Sequence, residues 1–173
     1  MHQDINVWRY AQKITENVGK GILLTTCVDG KPNTMTIGWG TLGVQWGKPI
    51  FIAFVRQSRY TKQLLDKNGE FTVNVPMGEL DKNILAVCGT KSGRDMDKFA
   101  QLGLTAVAGK TVSVPAIKQL PLTLECKVIY KQDQVLDAIC PDAQNQYYAQ
   151  GTVNENDYHT AYYGEITAAY IVE

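Results

Sequence analysis

The sequence has no surplus of charge of either sign: lysine plus arginine number 17, and aspartate plus glutamate number 17. That balance removes any bulk electrostatic reason to seek nucleic acid or an anionic membrane. An anion, if bound, must be held by a local cluster of donors. No apolar run is long enough to span a bilayer. The opening Met1-His2-Gln3-Asp4 lacks the basic-then-apolar pattern of a signal peptide, so a cytoplasmic protein is expected. Also missing is any Cys-x-x-Cys pair. Cys27, Cys88, Cys126 and Cys140 are dispersed, which argues against a zinc site or a redox disulfide, and no metal is expected. Reduced, partly buried thiols fit better. There is no repeat, no low-complexity tract and no linker. The 173 residues suit one domain, 1–173, with a short N-terminal helix.

What is present is mostly β signal. Ile5, Trp8, Ala11, Ile14 and Val18 fall three or four apart, which predicts an amphipathic helix over Ile5–Val18. Ile22–Val28 is an apolar, β-branched run, Asp29-Gly30-Lys31-Pro32 a turn, and Asn33–Ile37 a second extended segment, together a hairpin. Pro49–Val55 is the clearest buried strand. Tyr60–Lys67 reads as a helix and Glu70–Val75 as a strand stopped by Pro76. Gly78–Cys88 and Asp95–Leu102 read as helices. Strands are expected over Leu122–Tyr130, Tyr147–Val153, His159–Gly164 and Ile166–Val172. Many strands without a regular βαβ rhythm imply a mainly β fold, a barrel with attached helices.

Two nucleotide motifs fail on context. Gly38-Trp39-Gly40-Thr41-Leu42-Gly43 fits G-x-G-x-x-G, but Val44-Gln45-Trp46-Gly47-Lys48-Pro49 is no helix opening to hold a pyrophosphate. Gly109-Lys110-Thr111 matches the end of a P-loop, yet Leu104 stands where its first glycine belongs.

Three clusters remain. Arg56-Gln57-Ser58-Arg59-Tyr60-Thr61 joins a buried strand to a helix, with Ser58 placed as an N-cap. Arg56, Arg59, Ser58 and Thr61 would set side-chain donors around the free N–H groups of a helix start, as phosphate binding requires. The same residues also suit a plain capped helix with solvated arginines. Gly89-Thr90-Lys91-Ser92-Gly93-Arg94-Asp95 offers approachable backbone and two cations, or simply a loop between helices. In Asn33-Thr34-Met35-Thr36-Ile37-Gly38-Trp39, alternation puts Asn33, Met35 and Ile37 on one face and Thr34 and Thr36 on the other. Such a strand suits the donor and acceptor edge of a flavin, and equally an ordinary strand followed by a core tryptophan.

Taken in order, these segments resemble one family. From about Gly21 to the C-terminus the chain is similar to the flavin reductase-like, FMN-binding split-barrel family, in its flavoredoxin-like branch. The resemblance rests on Asn33–Gly40, Trp46-Gly47-Lys48-Pro49, Arg56–Thr61, Gly89–Asp95, Asp97-Lys98-Phe99, Leu124-Glu125-Cys126 and Tyr163-Gly164-Glu165-Ile166. It implies a split β-barrel and a homodimer with FMN near the subunit interface. It implies that Arg56, Ser58, Arg59, Tyr60, Thr61, Lys91 and Ser92 hold the phosphate side. Asn33, Thr34, Met35, Thr36 and Trp39 would lie against the ring system, with Cys126 and Tyr163 as further cofactor contacts.

His159 is the candidate catalytic residue, on the nicotinamide side. Flavin reductases that use NADH or NADPH carry Gly-Asp-His with a glycine five residues on. Gly164 keeps that spacing after His159, while Asp157-Tyr158 departs from the preceding pair. The implied activity is an FMN-dependent oxidoreductase drawing on NAD(P)H. The alternatives are a flavoredoxin-type carrier taking electrons from a redox protein partner, and a non-catalytic FMN-binding module. In each case the redox chemistry belongs to the flavin, and the protein supplies binding and orientation.

Overall fold

The computed structural model describes residues 1–173. Ten strands form: β1 (His2–Asp4), β2 (Ile22–Val28), β3 (Lys31–Ile37), β4 (Gly40–Gln45), β5 (Lys48–Arg56), β6 (Glu70–Val75), β7 (Ala106–Val107), β8 (Ala116–Ile117), β9 (Leu122–Asp133) and β10 (His159–Val172). The principal helices are α1 (Ala11–Val18), α2 (Tyr60–Asn68), α3 (Lys82–Thr90) and α4 (Lys98–Leu102). No helix is long and apolar enough to cross a membrane.

The main sheet is antiparallel, in the order β3-β2-β6-β9-β10-β5-β4, with β1 added to the far end of β10. β3 and β4 are consecutive in the chain yet do not pair, so the barrel is split between them. Inward side chains alternate along the strands: Ile22 and Leu24, Met35 and Ile37, Phe51, Ala53 and Val55, Phe71 and Val73, Leu122, Leu124 and Cys126. Ile14 and Val18 of α1 complete that core. A second, smaller core lies outside the barrel, where Leu23 meets Ile84 and Cys88 of α3, Phe99 of α4, and Leu120.

The bend of β10 has a local cause. Its register against β9 shifts between Tyr163 and Gly164 and again between Ile166 and Ala168. A Cβ at Gly164 would stand 2.5 Å from Phe71 Cζ and 2.7 Å from Cys126 Cβ, so only glycine admits this approach. The two expected strands at this end are thus one bulged strand.

Several expected elements differ. The N-terminal helix opens as a 3-10 turn over Val7–Tyr10 and is α-helical only from Ala11. α3 and α4 start later than their patterns suggest, because Asp81 and Asp97 cap them through Asn83 N and Ala100 N. The strand expected over Tyr147–Val153 does not form. Gln144–Tyr148 is a π-helical turn, and Gln144 Nε2 donates to the carbonyls of Leu136 and Ile139 at 2.9 and 2.6 Å. The segment is then held by its side chains, Tyr147 on Trp39 and the Tyr148 hydroxyl on Gln134 and His159, and not by a strand ladder.

Candidate functional site

The split edge of the barrel carries a groove with two chambers. The first, about 110 Å³, is lined by Met35, Ser58, Arg59, Tyr60, Thr61, Cys88, Lys91, Ser92, Gly93, Arg94 and Lys98, among others. The second, about 230 Å³, is bounded by Met35–Trp39 of the β3–β4 edge and by Phe54, Arg56, Arg59, Asn154 and His159. Met35 and Arg59 line both, so the two chambers adjoin.

The first chamber is built from cations without counter-ions. Arg59, Lys91, Arg94 and Lys98 all line it, and none has a carboxylate partner. Arg59 Nε is buried and bonds to nothing in the protein. A buried donor left open is costly unless something outside the protein accepts from it. The opening N–H groups of α2 lie at the same end, where the helix dipole favours negative charge. Arg94 sits over the Tyr60 ring at 5.1 Å. The Lys91–Arg94 loop can come this close only because residue 93 is glycine. A Cβ there would overlap Asn33 Oδ1, whose own amide donates to Thr61 Oγ1 at 2.9 Å.

Arg56 and Ser58 are used differently from expectation. Asp157 accepts from Ser58 N at 2.9 Å and from Ser58 Oγ at 2.5 Å. Arg56 Nη1 donates to Val153 O at 2.8 Å and stands 3.7 Å from Asp157. The N-cap position of α2 falls to Arg59, so Ser58 is not the cap. Arg56 lines the second chamber and is absent from the first.

The second chamber is aromatic and carries a neutral histidine. The Trp39 ring lies 4.6 Å from that of His159 and 5.1 Å from that of Tyr147. Gln134 Oε1 accepts from His159 N at 3.0 Å, which fixes the amide orientation. The Tyr148 hydroxyl donates to that same oxygen at 2.8 Å. Its one proton is thereby used, so it must accept from His159 Nδ1, 2.9 Å away. His159 therefore carries its proton on Nδ1 and keeps Nε2 as a bare acceptor with no partner in the protein. Burial, then the Arg56 charge, pulls its pKa from 6.5 to about 4.

The remaining expected residues divide. Met35 and Trp39 line the groove. Asn33 supports it through Thr61. Thr34 and Thr36 turn their hydroxyls to the outer face, Thr34 toward Thr25 and Thr36 to Leu85 O at 2.7 Å. Thr36 still borders the second chamber. Cys126 is sealed in the barrel core, and burial holds its thiol protonated. Tyr163 packs on Tyr130 at 5.0 Å, beside Trp46, and lines neither chamber. Residues the sequence reading missed are Lys98, Asn154, Asp157, Gln134 and Tyr148. Of these only Lys98 stood in a segment that carries the family resemblance, Asp97-Lys98-Phe99, though not as a site residue.

This donor set fits a phosphate ester carrying a flat ring: open cations and an orphaned Nε at one end, an aromatic slot at the other. The comparisons with known proteins give the family and the fold. The flavin reductase like domain matches residues 17–173. A protein of Archaeoglobus fulgidus without an assigned role is 39% identical over 99 residues, 57% of this chain and 55% of that protein. The chain thus matches only a little over half the length of that relative. Flavoredoxin from Methanosarcina acetivorans is 28% identical with a TM-score of 0.64, covering 88% of this chain and 68% of that one. The Streptomyces globisporus NADH:FAD oxidoreductase, solved with NAD and FAD fragments, shares the fold at 21% identity, TM-score 0.61, with 88% and 74% covered. With its barrel split at the groove and its matched span running to the last residue, the chain belongs to the flavin reductase-like domain family.

Proposed function

We propose that this chain binds FMN in the groove and serves as an FMN-dependent oxidoreductase reduced by NAD(P)H. The observation that carries this reading is that the two chambers adjoin. Four unpaired cations line one chamber, and the chamber bordered by Trp39 and the β3 edge lies on the other side of Met35 and Arg59. When bound, FMN supplies the redox chemistry. The residues do the rest. Arg59, Thr61, Lys91, Ser92 and Arg94 would hold the phosphate, since their donors are not spent on carboxylates. The Met35–Gly38 backbone would border the ring. His159, neutral and with Nε2 bare, can accept a hydrogen bond from a carboxamide or imide N–H but cannot donate a proton from that atom. Its role is to seat a ligand edge against Trp39.

The exposed Val44, Trp46 and Tyr130 give a second copy an apolar face on the β4–β5 hairpin and β9, which supports a homodimer. A second reading is a flavoredoxin-type carrier fed by a redox protein. The Asp157-Tyr158 pair before His159 and the resemblance to flavoredoxin favour it. Anaerobic mixing of the FMN-loaded protein with NADH or NADPH separates the two. Rapid bleaching of the flavin band supports the reductase. Bleaching only by a reduced protein supports the carrier, and bleaching by neither leaves a binding module.

A further inference from the structure

Between β9 and β10 the chain leaves the sheet, and two residues of that excursion converge on His159. Gln134, the first residue after β9, pairs with it along the backbone: its N donates to His159 O at 2.9 Å, and its Oε1 accepts from His159 N at 3.0 Å. Tyr148, buried in the π-helical turn, sets its hydroxyl 2.8 Å from Gln134 Oε1 and 2.9 Å from His159 Nδ1. The hydroxyl proton has one place to go. Turned to Nδ1, it would leave two oxygen acceptors facing each other at 2.8 Å with no hydrogen between them. Turned to Gln134, it forces the imidazole proton onto Nδ1. Nε2 is then the free end of the ring. It bonds to nothing in the protein and is not sealed inside it, and His159 lines the second chamber. Burial and the Arg56 charge keep the ring neutral down to a pKa of about 4, so the lone pair persists at neutral pH.

We propose that Gln134 and Tyr148 are positioning residues that set the ligand preference of the second chamber. By locking the His159 proton on Nδ1 they present a bare acceptor, which takes a ligand edge bearing N–H and disfavours one bearing a carboxylate. The preference is for a primary carboxamide over the corresponding acid. This rests on the reductase reading above and goes beyond it, because two residues that do not line the chamber decide its chemistry. The same excursion brings Tyr147 edge-on to Trp39 and puts Asn154 on the chamber wall. Its far end is tied down by Arg56 on Val153 O and by Asp157 on Ser58.

The test is Gln134→Met, which keeps the length and removes the acceptor. The Tyr148 hydroxyl is then free to donate to Nδ1, and the imidazole proton moves to Nε2. Imidazole ¹⁵N spectra read the tautomer directly and need no flavin; His2 is the only other histidine in the chain. Wild type should show Nδ1 protonated, and the variant Nε2 protonated. Calorimetric titration of the FMN-loaded proteins then compares NAD with nicotinic acid adenine dinucleotide, its carboxylate counterpart, both oxidised and so bound without turnover. The affinity ratio of amide to acid should fall about tenfold or more in the variant, the effect of one hydrogen bond to a charged group. Arg56 and Arg59 border the chamber and attract the acid in both proteins, so the change in ratio isolates His159. A merely structural Gln134 would lower the melting temperature and leave the tautomer and the ratio unmoved. Either one unmoved overturns the proposal, as does an Nε2–H ring in the wild type. Should Gln134→Met not fold, Tyr148→Phe replaces it, with the same shifts expected because Nδ1–H loses its acceptor. If neither dinucleotide binds the wild type, the reductase reading has failed. Free nicotinamide and nicotinate are then the probes. His159 ring signals moved by nicotinamide and not by nicotinate keep the proposal, and movement by both or by neither overturns it.

Discussion

His159 sets a pH dependence of stability that can be worked out in advance. The residue is 7% exposed, and its pKa in the folded chain is pulled from 6.5 to about 4. Its folded value lies below its unfolded value, so the unfolded chain takes up the proton first. Stability from this group is therefore complete above about pH 6.5 and is lost as the pH falls toward 4. Each pH unit in that window is worth about 1.4 kcal/mol per proton, which sums to about 3 kcal/mol. His159→Asn removes the titration while its amide can still donate to the Tyr148 hydroxyl. Urea unfolding of both proteins at pH values from 7.5 down to 4.5, all in that window or just above it, gives the comparison. Wild type should lose stability relative to the variant as the pH falls, with no such difference accruing above 7. The carboxylates do not confuse the difference, because Asp66 and Glu125 are present in both proteins and their pKa values are shifted downward. Parallel stability curves would refute the burial of a neutral imidazole and with it the assigned Nδ1–H form.

Arg59→Ala should weaken FMN by about 1.5–3 kcal/mol and riboflavin much less, because it removes the buried Nε–H and guanidinium of the phosphate chamber; calorimetric titration with both flavins checks this. Gly93→Ala should abolish FMN binding at micromolar protein while leaving far-ultraviolet circular dichroism intact, since its Cβ would overlap Asn33 Oδ1 and push the loop off the groove. Glu125→Ala should cost about 3 kcal/mol in denaturant unfolding. Its buried carboxylate accepts from Lys110 N, Thr111 N, Thr111 Oγ1 and Tyr170 Oη, and those donors would be stranded.

Three strands were legible from their apolar content, Ile22–Val28 and Pro49–Val55 as buried runs and Leu122–Tyr130 by alternation, and all sit where the pattern puts them. The two hairpins make an instructive contrast. Asp29-Gly30 announces its turn, with φ of 51° and 73°. Trp46-Gly47 has the same backbone, φ of 51° and 72°, but an aromatic residue in the left-handed region conceals it. β4 was lost with that turn, and its residues Gly40-Thr41-Leu42-Gly43 read as the end of a failed nucleotide loop. At the site, the loops were readable as clusters of donors, but not which donors stay free. Asp157 reaches Ser58 across 99 residues of chain, and nothing local to Arg56 or Ser58 foretells that they are taken. Lys98 was hidden for the opposite reason. A lysine is expected in solvent, and only the packing of α3 and α4 on β2 and β3 buries it.

FMN is proposed to sit at the split edge of this barrel, held by its phosphate. Titration of the protein, stripped of bound flavin, with FMN and then with riboflavin tests it most directly, following quenching of flavin fluorescence. One FMN per chain should bind at least about tenfold more tightly than riboflavin, the difference made by one charge-assisted hydrogen bond or more. Equal affinity for the two flavins, or no saturable binding of FMN, would contradict it.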